Sequence, residues 1–187
     1  NDFQVALLQF DKLIDITSDD TFLAGVYYSK GDAFTGMQDW KSALKSYLKS
    51  YELESDGSYA AKALKASYQT ALMPLNENNF ELAIIQFDSL INVIPSGPLL
   101  TAAHYSKGDA FSELEEWKAA GKSYLESFKL EPDGKYAAKA LMNVGISLGK
   151  MQKINEACNI LNRVEARFPR NQIVEEAQYE MQILGCS

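Results

Sequence analysis

Few residues of this chain could carry chemistry. Cys158 and Cys186 are its two cysteines and His104 its one histidine. A single histidine, with no serine or cysteine at a strained turn beside it, gives no nucleophilic triad, so His104 reads as a packing residue on a helix. Two cysteines without a nearby histidine are a poor zinc set, and no metal is expected. Gly121-Lys122-Ser123 echoes the end of a phosphate-binding loop. Glu116 stands where the first glycine of such a loop belongs, and the segment falls in the middle of a helical pattern, so this reading is rejected. The pairs Glu115-Glu116 and Asp19-Asp20 are placed as helix-start carboxylates, which suit the positive end of a helix dipole. No HExxH, GxSxG or glycine-rich loop occurs. The expectation is a chain that is no enzyme and carries no cofactor.

The elements that must position these residues follow from composition and period. The chain has 187 residues and is 47% apolar, enough for a packed core. Its net charge of −7 disfavours sequence-independent nucleic-acid binding, which rests on neutralising phosphates. No apolar run approaches the ~18 residues needed to span a membrane. The chain opens inside an amphipathic pattern without a signal peptide and reads as a mature or truncated product.

The heptapeptide Tyr28-Ser29-Lys30-Gly31-Asp32-Ala33-Phe34 returns letter for letter as Tyr105-Ser106-Lys107-Gly108-Asp109-Ala110-Phe111. Residues 1–73 laid on 78–150, an offset of 77, share 34 identities without a gap. The chain therefore reads as an internal duplication. A shorter step lies inside it. Pro95, Pro132 and Pro169 are 37 residues apart, and so are Ala83, Ala120 and Ala157, and Phe87, Tyr124 and Leu161. A three-residue insertion at Pro74-Leu75-Asn76 separates the two copies. The organisation expected is one domain over 1–187, with repeat pairs at 1–77 and 78–151 and a partial repeat at 152–187.

Each unit of about 37 residues holds two stretches with apolar residues at i, i+3/i+4 and i+7, the helical period. Prolines just past the second stretch stop the helix, and Asp56-Gly57 and Asp133-Gly134 turn the chain into the next one. No segment alternates as a strand would. The spacing predicts ten helices: 1–16, 20–36, 39–53, 58–73, 78–93, 98–114, 116–130, 135–150, 153–168 and 172–184.

Gly108 and Phe111 on a first helix, followed by Ala120, Tyr124 and Pro132, resemble the tetratricopeptide repeat (TPR); Gly31, Phe34, Ala43 and Tyr47 carry the same set. The resemblance implies an all-α, right-handed superhelical solenoid of antiparallel helix pairs. Small residues at the glycine and alanine positions let two helices approach, and the aromatic fills the space beside them. Where Tyr68 and Gln182 replace the glycine, looser or rearranged packing is expected. On this helix order 153–168 and 172–184 run antiparallel, which brings Cys158 and Cys186 within plausible bridging range. A bridge there would stabilise by roughly 3–4 kcal/mol through loop closure. The alternative is a buried free Cys158 and a frayed Cys186.

A closer resemblance rests on Trp117-Lys118-Ala119-Ala120, Pro132-Asp133-Gly134-Lys135-Tyr136-Ala137, Gly145, Glu156-Ala157-Cys158 and Phe168-Pro169. These are similar to the C-terminal TPR domain of the Tol–Pal-associated periplasmic YbgF/CpoB family, over about 78–187. The first 77 residues fit as an additional copy. The resemblance implies a periplasmic adaptor that contacts a TolA-like envelope protein and links peptidoglycan synthesis to envelope constriction during division. An outer-membrane assembly or lipoprotein-type TPR adaptor is the alternative.

In a TPR stack the first helix of each pair lines the concave face. That geometry directs Tyr28, Asp32, Lys62, Lys65, Gln69, Tyr105, Asp109, Lys139, Met142 and Ile146 toward a groove. Aromatic anchors, paired aspartates and lysines there would suit a protein segment, extended or helical.

Overall fold

The computed structural model describes residues 2–186. Every regular element among them is a helix. There are ten: α1 (Asp2–Ile16), α2 (Asp20–Gly36), α3 (Trp40–Leu53), α4 (Ala60–Asn76), α5 (Phe80–Ile91), α6 (Pro98–Glu113), α7 (Trp117–Leu130), α8 (Ala137–Lys150), α9 (Ile154–Arg167) and α10 (Ile173–Leu184). They form two compact units, Asn1–Pro95 with α1–α5 and Ser96–Ser187 with α6–α10. The first unit closes beyond the repeat boundary at 77 because α5 packs on α4.

Within each unit successive helices pack on one another, as short antiparallel hairpins must. The starts of three helices are set by local chemistry. The side chains of Asp19, Asp39 and Asn79 accept hydrogen bonds from the backbone N–H groups of Phe22, Ser42 and Leu82, satisfying donors that a helix leaves free. At α6 the task falls to backbone conformation. Gly97 has φ 100°, and Pro98 follows at the first helical position with its φ already fixed.

Alanine and aromatic residues fill the contacts. In the first unit Ala43, Ala63, Ala83, Phe87 and Leu90 are fully buried. In the second, Ala120, Tyr124, Ala140, Leu141, Leu161 and Val164 form the core. Two serines stitch helix to helix at equivalent places. Ser50 Oγ donates to the carbonyl of Ala24 at 2.7 Å, and Ser127 Oγ to that of Thr101 at 2.9 Å.

The insertion at Pro74-Leu75-Asn76 is not a linker. It extends α4 to 17 residues, where α8 has 14. Pro74 lies inside the helix and is buried. It falls in the last turn, so the single hydrogen bond that it cannot donate is lost near the helix end. The longer helix changes what its end meets. Glu77 accepts from Trp40 Nε1 with both carboxylate oxygens, at 3.2 and 3.0 Å. At the end of α8 a cation takes this place, Lys150 lying 5.6 Å over the ring of Trp117.

Candidate functional site

The glycine of each heptapeptide makes room for a ring. A Cβ on Gly31 would stand 2.5 Å from Tyr47 Cε1, and one on Gly108 would stand 2.6 Å from Tyr124 Cδ1. Lying across the glycine, each phenol reaches the aspartate one residue on. Tyr47 Oη donates to Asp32 Oδ1 at 2.7 Å, and Tyr124 Oη to Asp109 Oδ1 at 2.8 Å. Thr35 and Ser112 complete the two knots with hydroxyl contacts of 3.2 and 3.0 Å. Where Tyr68 replaces the glycine, its ring stands beside Phe87, centroids 6.3 Å apart, and Phe87 has no hydroxyl to pass on. The packing there is rearranged.

In the second unit this knot anchors a larger constellation. Tyr105 lies between Tyr124 and Tyr136, with ring centroids at 5.4 and 4.9 Å. Lys139 Nζ stands 5.9 Å over the Tyr105 ring, and Asn143 Nδ2 donates to Tyr105 Oη at 3.2 Å. Burial pushes the Asp109 carboxyl up to about 6; Glu113 adds to the rise, while the Tyr124 hydrogen bond, Lys139 and the Tyr105 hydrogen bond oppose it. Burial and the adjacent Asp109 charge raise the Tyr105 and Tyr124 phenols as well.

Lys139, Met142, Asn143 and Ile146 follow at i, i+3, i+4 and i+7 and so share one face of α8. That face runs from the tyrosines to a cleft of about 440 Å³ between α8 and α10. Met142, Ile146 and Tyr179 give it an apolar floor, and Glu175, Glu176 and Glu180 give it an acidic rim. Tyr179 is 62% exposed. The cleft offers aliphatic contact, an aromatic edge and three carboxylates, which suits a protein segment carrying basic and aliphatic side chains.

The residues expected at a groove divide into several kinds. Met142 and Ile146 line this cleft. Tyr105 and Met142 are 6% and 4% exposed and belong to the core, so they present edges rather than open faces. Asp109 and Lys139 stand beside Tyr105, as described. In the first unit Tyr28 packs against Tyr47 and Tyr59 at 5.4 and 5.7 Å, with Asp32 exposed on the same helix. Lys62 Nζ lies 5.8 Å over Tyr59, and Lys65 and Gln69 are exposed on α4. The glutamates and Tyr179 of α10 were not anticipated, because α10 read as a half-repeat without a partner. Their signal was Glu175-Glu176 and Tyr179 one turn apart on the same helix.

A disulfide holds α10. Cys158 on α9 and Cys186 just past α10 are bonded, with Cα atoms 5.6 Å apart. Leu184 packs beside Gly149, where a Cβ would come within 2.9 Å of its Cδ2. His104 is half-buried on α6, and Gly121-Lys122-Ser123 lies within α7, where no phosphate loop can form. Among the described residues no cluster of three metal-binding side chains occurs, and no helix is long and apolar enough to cross a membrane.

The sequence matches no protein-family model and no curated protein. Solved structures resemble the fold over nearly its whole length. RapI in its apo form is 15% identical, with a TM-score of 0.60 over 97% of this chain and 52% of its own, so the chain spans about half of RapI. YrrB, a TPR protein with an unusual peptide-binding site, is 19% identical with a TM-score of 0.52, over 86% of this chain and 75% of its own. The TPR2AB domain of yeast Sti1, solved in complex with pHSP90, is 11% identical with a TM-score of 0.54, over 98% and 80%. At these identities the likeness gives the fold, which is that of TPR proteins.

Proposed function

We propose that the chain is a non-enzymatic scaffold that binds a protein segment with basic and aliphatic side chains along α8 and α10. The observation that carries this is the Met142–Ile146–Tyr179 floor ringed by Glu175, Glu176 and Glu180. YrrB and the Sti1 domain, each a TPR fold with a peptide or protein ligand, support the class of function. The finer reading is a periplasmic, Tol–Pal-associated adaptor with a TolA-like partner in envelope constriction. It rests on the YbgF/CpoB resemblance, and the Cys158–Cys186 disulfide suits an oxidising compartment.

The test is titration of a TolA periplasmic domain onto the chain, with Tyr179→Ala and Glu176→Lys variants beside it. Loss of a centrally placed aromatic should weaken binding by about tenfold or more. Undiminished binding by both variants places the interface elsewhere. Absence of TolA binding, with capture of another envelope protein through the same cleft, favours the outer-membrane assembly adaptor.

A further inference from the structure

The first unit carries a second groove, of opposite charge, among α2, α3 and α5, with a volume of about 1020 Å³. Lys30, Lys41, Lys45 and Lys49 line it against the single carboxylate of Glu52. This is a basic strip on a chain whose net charge is −7. Three of the lysines stand at i, i+4 and i+8 of α3, one face of the helix. Lys30 pairs with Asp11 and Lys49 with Glu52, while Lys41 and Lys45 carry no ion pair among the described residues.

Leu82 and Ile85 of α5 supply apolar surface to the groove, and Ile85 is 59% exposed. Beside them lies Gln86, only 2% exposed, whose Nε2 and Oε1 both lack a hydrogen-bond partner among the described residues. Buried polar groups are bonded in the great majority of cases, so an amide with neither end satisfied marks a place for a partner. The equivalent positions carry Gln9, which is exposed on α1, Ser46, Ser123 and Ile160. Ser46 turns back to its own helix and donates to the carbonyl of Ser42 at 2.8 Å. A glutamine amide cannot be disposed of so locally. On one edge it offers a donor and an acceptor side by side, the complement of the N–H and C=O that one residue of an extended chain presents on the same side.

We infer that this groove binds an acidic segment of a partner protein in extended conformation, with the Gln86 amide turning into the groove to pair the N–H and C=O of one of its residues and Lys41 and Lys45 meeting its carboxylates. An extended chain leaves its peptide groups free for the amide and sends alternate side chains toward Leu82 and Ile85. A helix would satisfy its own backbone and leave Gln86 orphaned. An anionic membrane would meet the lysines, but a headgroup layer presents no strand edge for the amide. The second unit lacks the site. In sequence, Glu156, Asn159 and Ile160 stand where Leu82, Ile85 and Gln86 do, and Glu126 replaces Lys49.

The experiment is fluorescence anisotropy with a labelled peptide of repeating Asp-Leu-Glu-Ile, titrated with the full chain. Phosphatidylglycerol–phosphatidylcholine vesicles and a Lys-Leu-Arg-Ile peptide run in parallel. The acidic peptide is expected to bind, more weakly as salt rises, and the basic one is not. Lys41→Ala/Lys45→Ala should weaken binding by about tenfold, and the equivalent pair Lys118→Ala/Lys122→Ala should leave it unchanged. Gln86→Leu should weaken it by about fivefold with no loss of melting temperature, since it removes an unpaired amide. The proposal is overturned if the acidic peptide does not bind, if either groove variant binds it as the parent does, or if only the vesicles are bound through Lys41 and Lys45.

Discussion

The ring of Tyr124 occupies the space that a side chain on Gly108 would need. A Cβ built on Gly108 would lie 2.6 Å from Tyr124 Cδ1 and 3.0 Å from Cγ, so the whole ring, not its tip, would have to move. The ring is held by its hydrogen bond to Asp109 and by its contact with Tyr105. Gly108→Leu should therefore destabilise by about 1–3 kcal/mol or more through overpacking, read as a fall in melting temperature. Gly108→Ala should cost less, because alanine returns part of the loss as helix propensity. In a double-mutant cycle Gly108→Ala and Tyr124→Ala should be strongly non-additive, the second change removing the clash made by the first. Additive effects would show that the two residues do not share this space.

Asp109 makes stability depend on pH in the direction opposite to that of most carboxylates. Its folded pKa, about 6, lies above the ordinary carboxylate value, so the native state holds the proton more tightly than the unfolded chain. This contribution destabilises progressively from about pH 4 and is complete a little above pH 6. Allowing for its partial exposure, it amounts to about 1–2 kcal/mol. Asp109→Asn keeps an oxygen for Tyr124 and removes the titration. The variant should gain melting temperature relative to the parent as pH rises from 4 to 7. A constant difference across that range would show that Asp109 titrates normally.

Four interhelical turns each place a non-glycine residue in the left-handed region: Gln38, Asn78, Glu115 and Gln152, with φ of 60, 59, 57 and 61°. Asparagine tolerates that conformation; glutamine and glutamate do so at a cost of roughly 1–2 kcal/mol. Glycine removes that cost but raises the entropy of the unfolded chain, which offsets part of the gain. Glu115→Gly and Gln152→Gly should thus each stabilise by about 0.5–1 kcal/mol, and Asn78→Gly by less. Thermal melts of the three single variants give the ranking.

Much of the fold could be read because two signals agree. The helical period in each 37-residue unit and the punctuation by proline and Asp-Gly place α2, α6 and α10 to within a residue of their observed ends. The end of α4 was less legible. Proline ordinarily closes a helix, and only the burial of Pro74 in the final turn shows that it does not do so here. The glycine–aromatic contacts were legible as spacing, but not the hydroxyl passing from Tyr124 to Asp109, which depends on where the ring lies. Attention to first helices led to Met142 and Ile146 and away from the lysines of α3, though their four-residue spacing was in plain view. Gln86 could have been noticed as the long amide where the two neighbouring repeats carry Ser46 and Ser123. Its lack of a partner among the described residues is a property of packing, and no spacing reports it.

The bond between Cys158 and Cys186 also has a mechanical consequence. A span of 28 residues between the two sulfurs cannot lengthen while the bond is intact. At full extension such a span would contribute about 90–100 Å. A chain pulled from its two ends should thus release that much less contour when oxidised than when reduced. The element withheld is the α9–α10 hairpin that carries Glu175, Glu176 and Tyr179. A tension that strips the remaining helices would leave this hairpin tied into a closed loop, so that its two strands of chain stay neighbours and can re-form when the load is released.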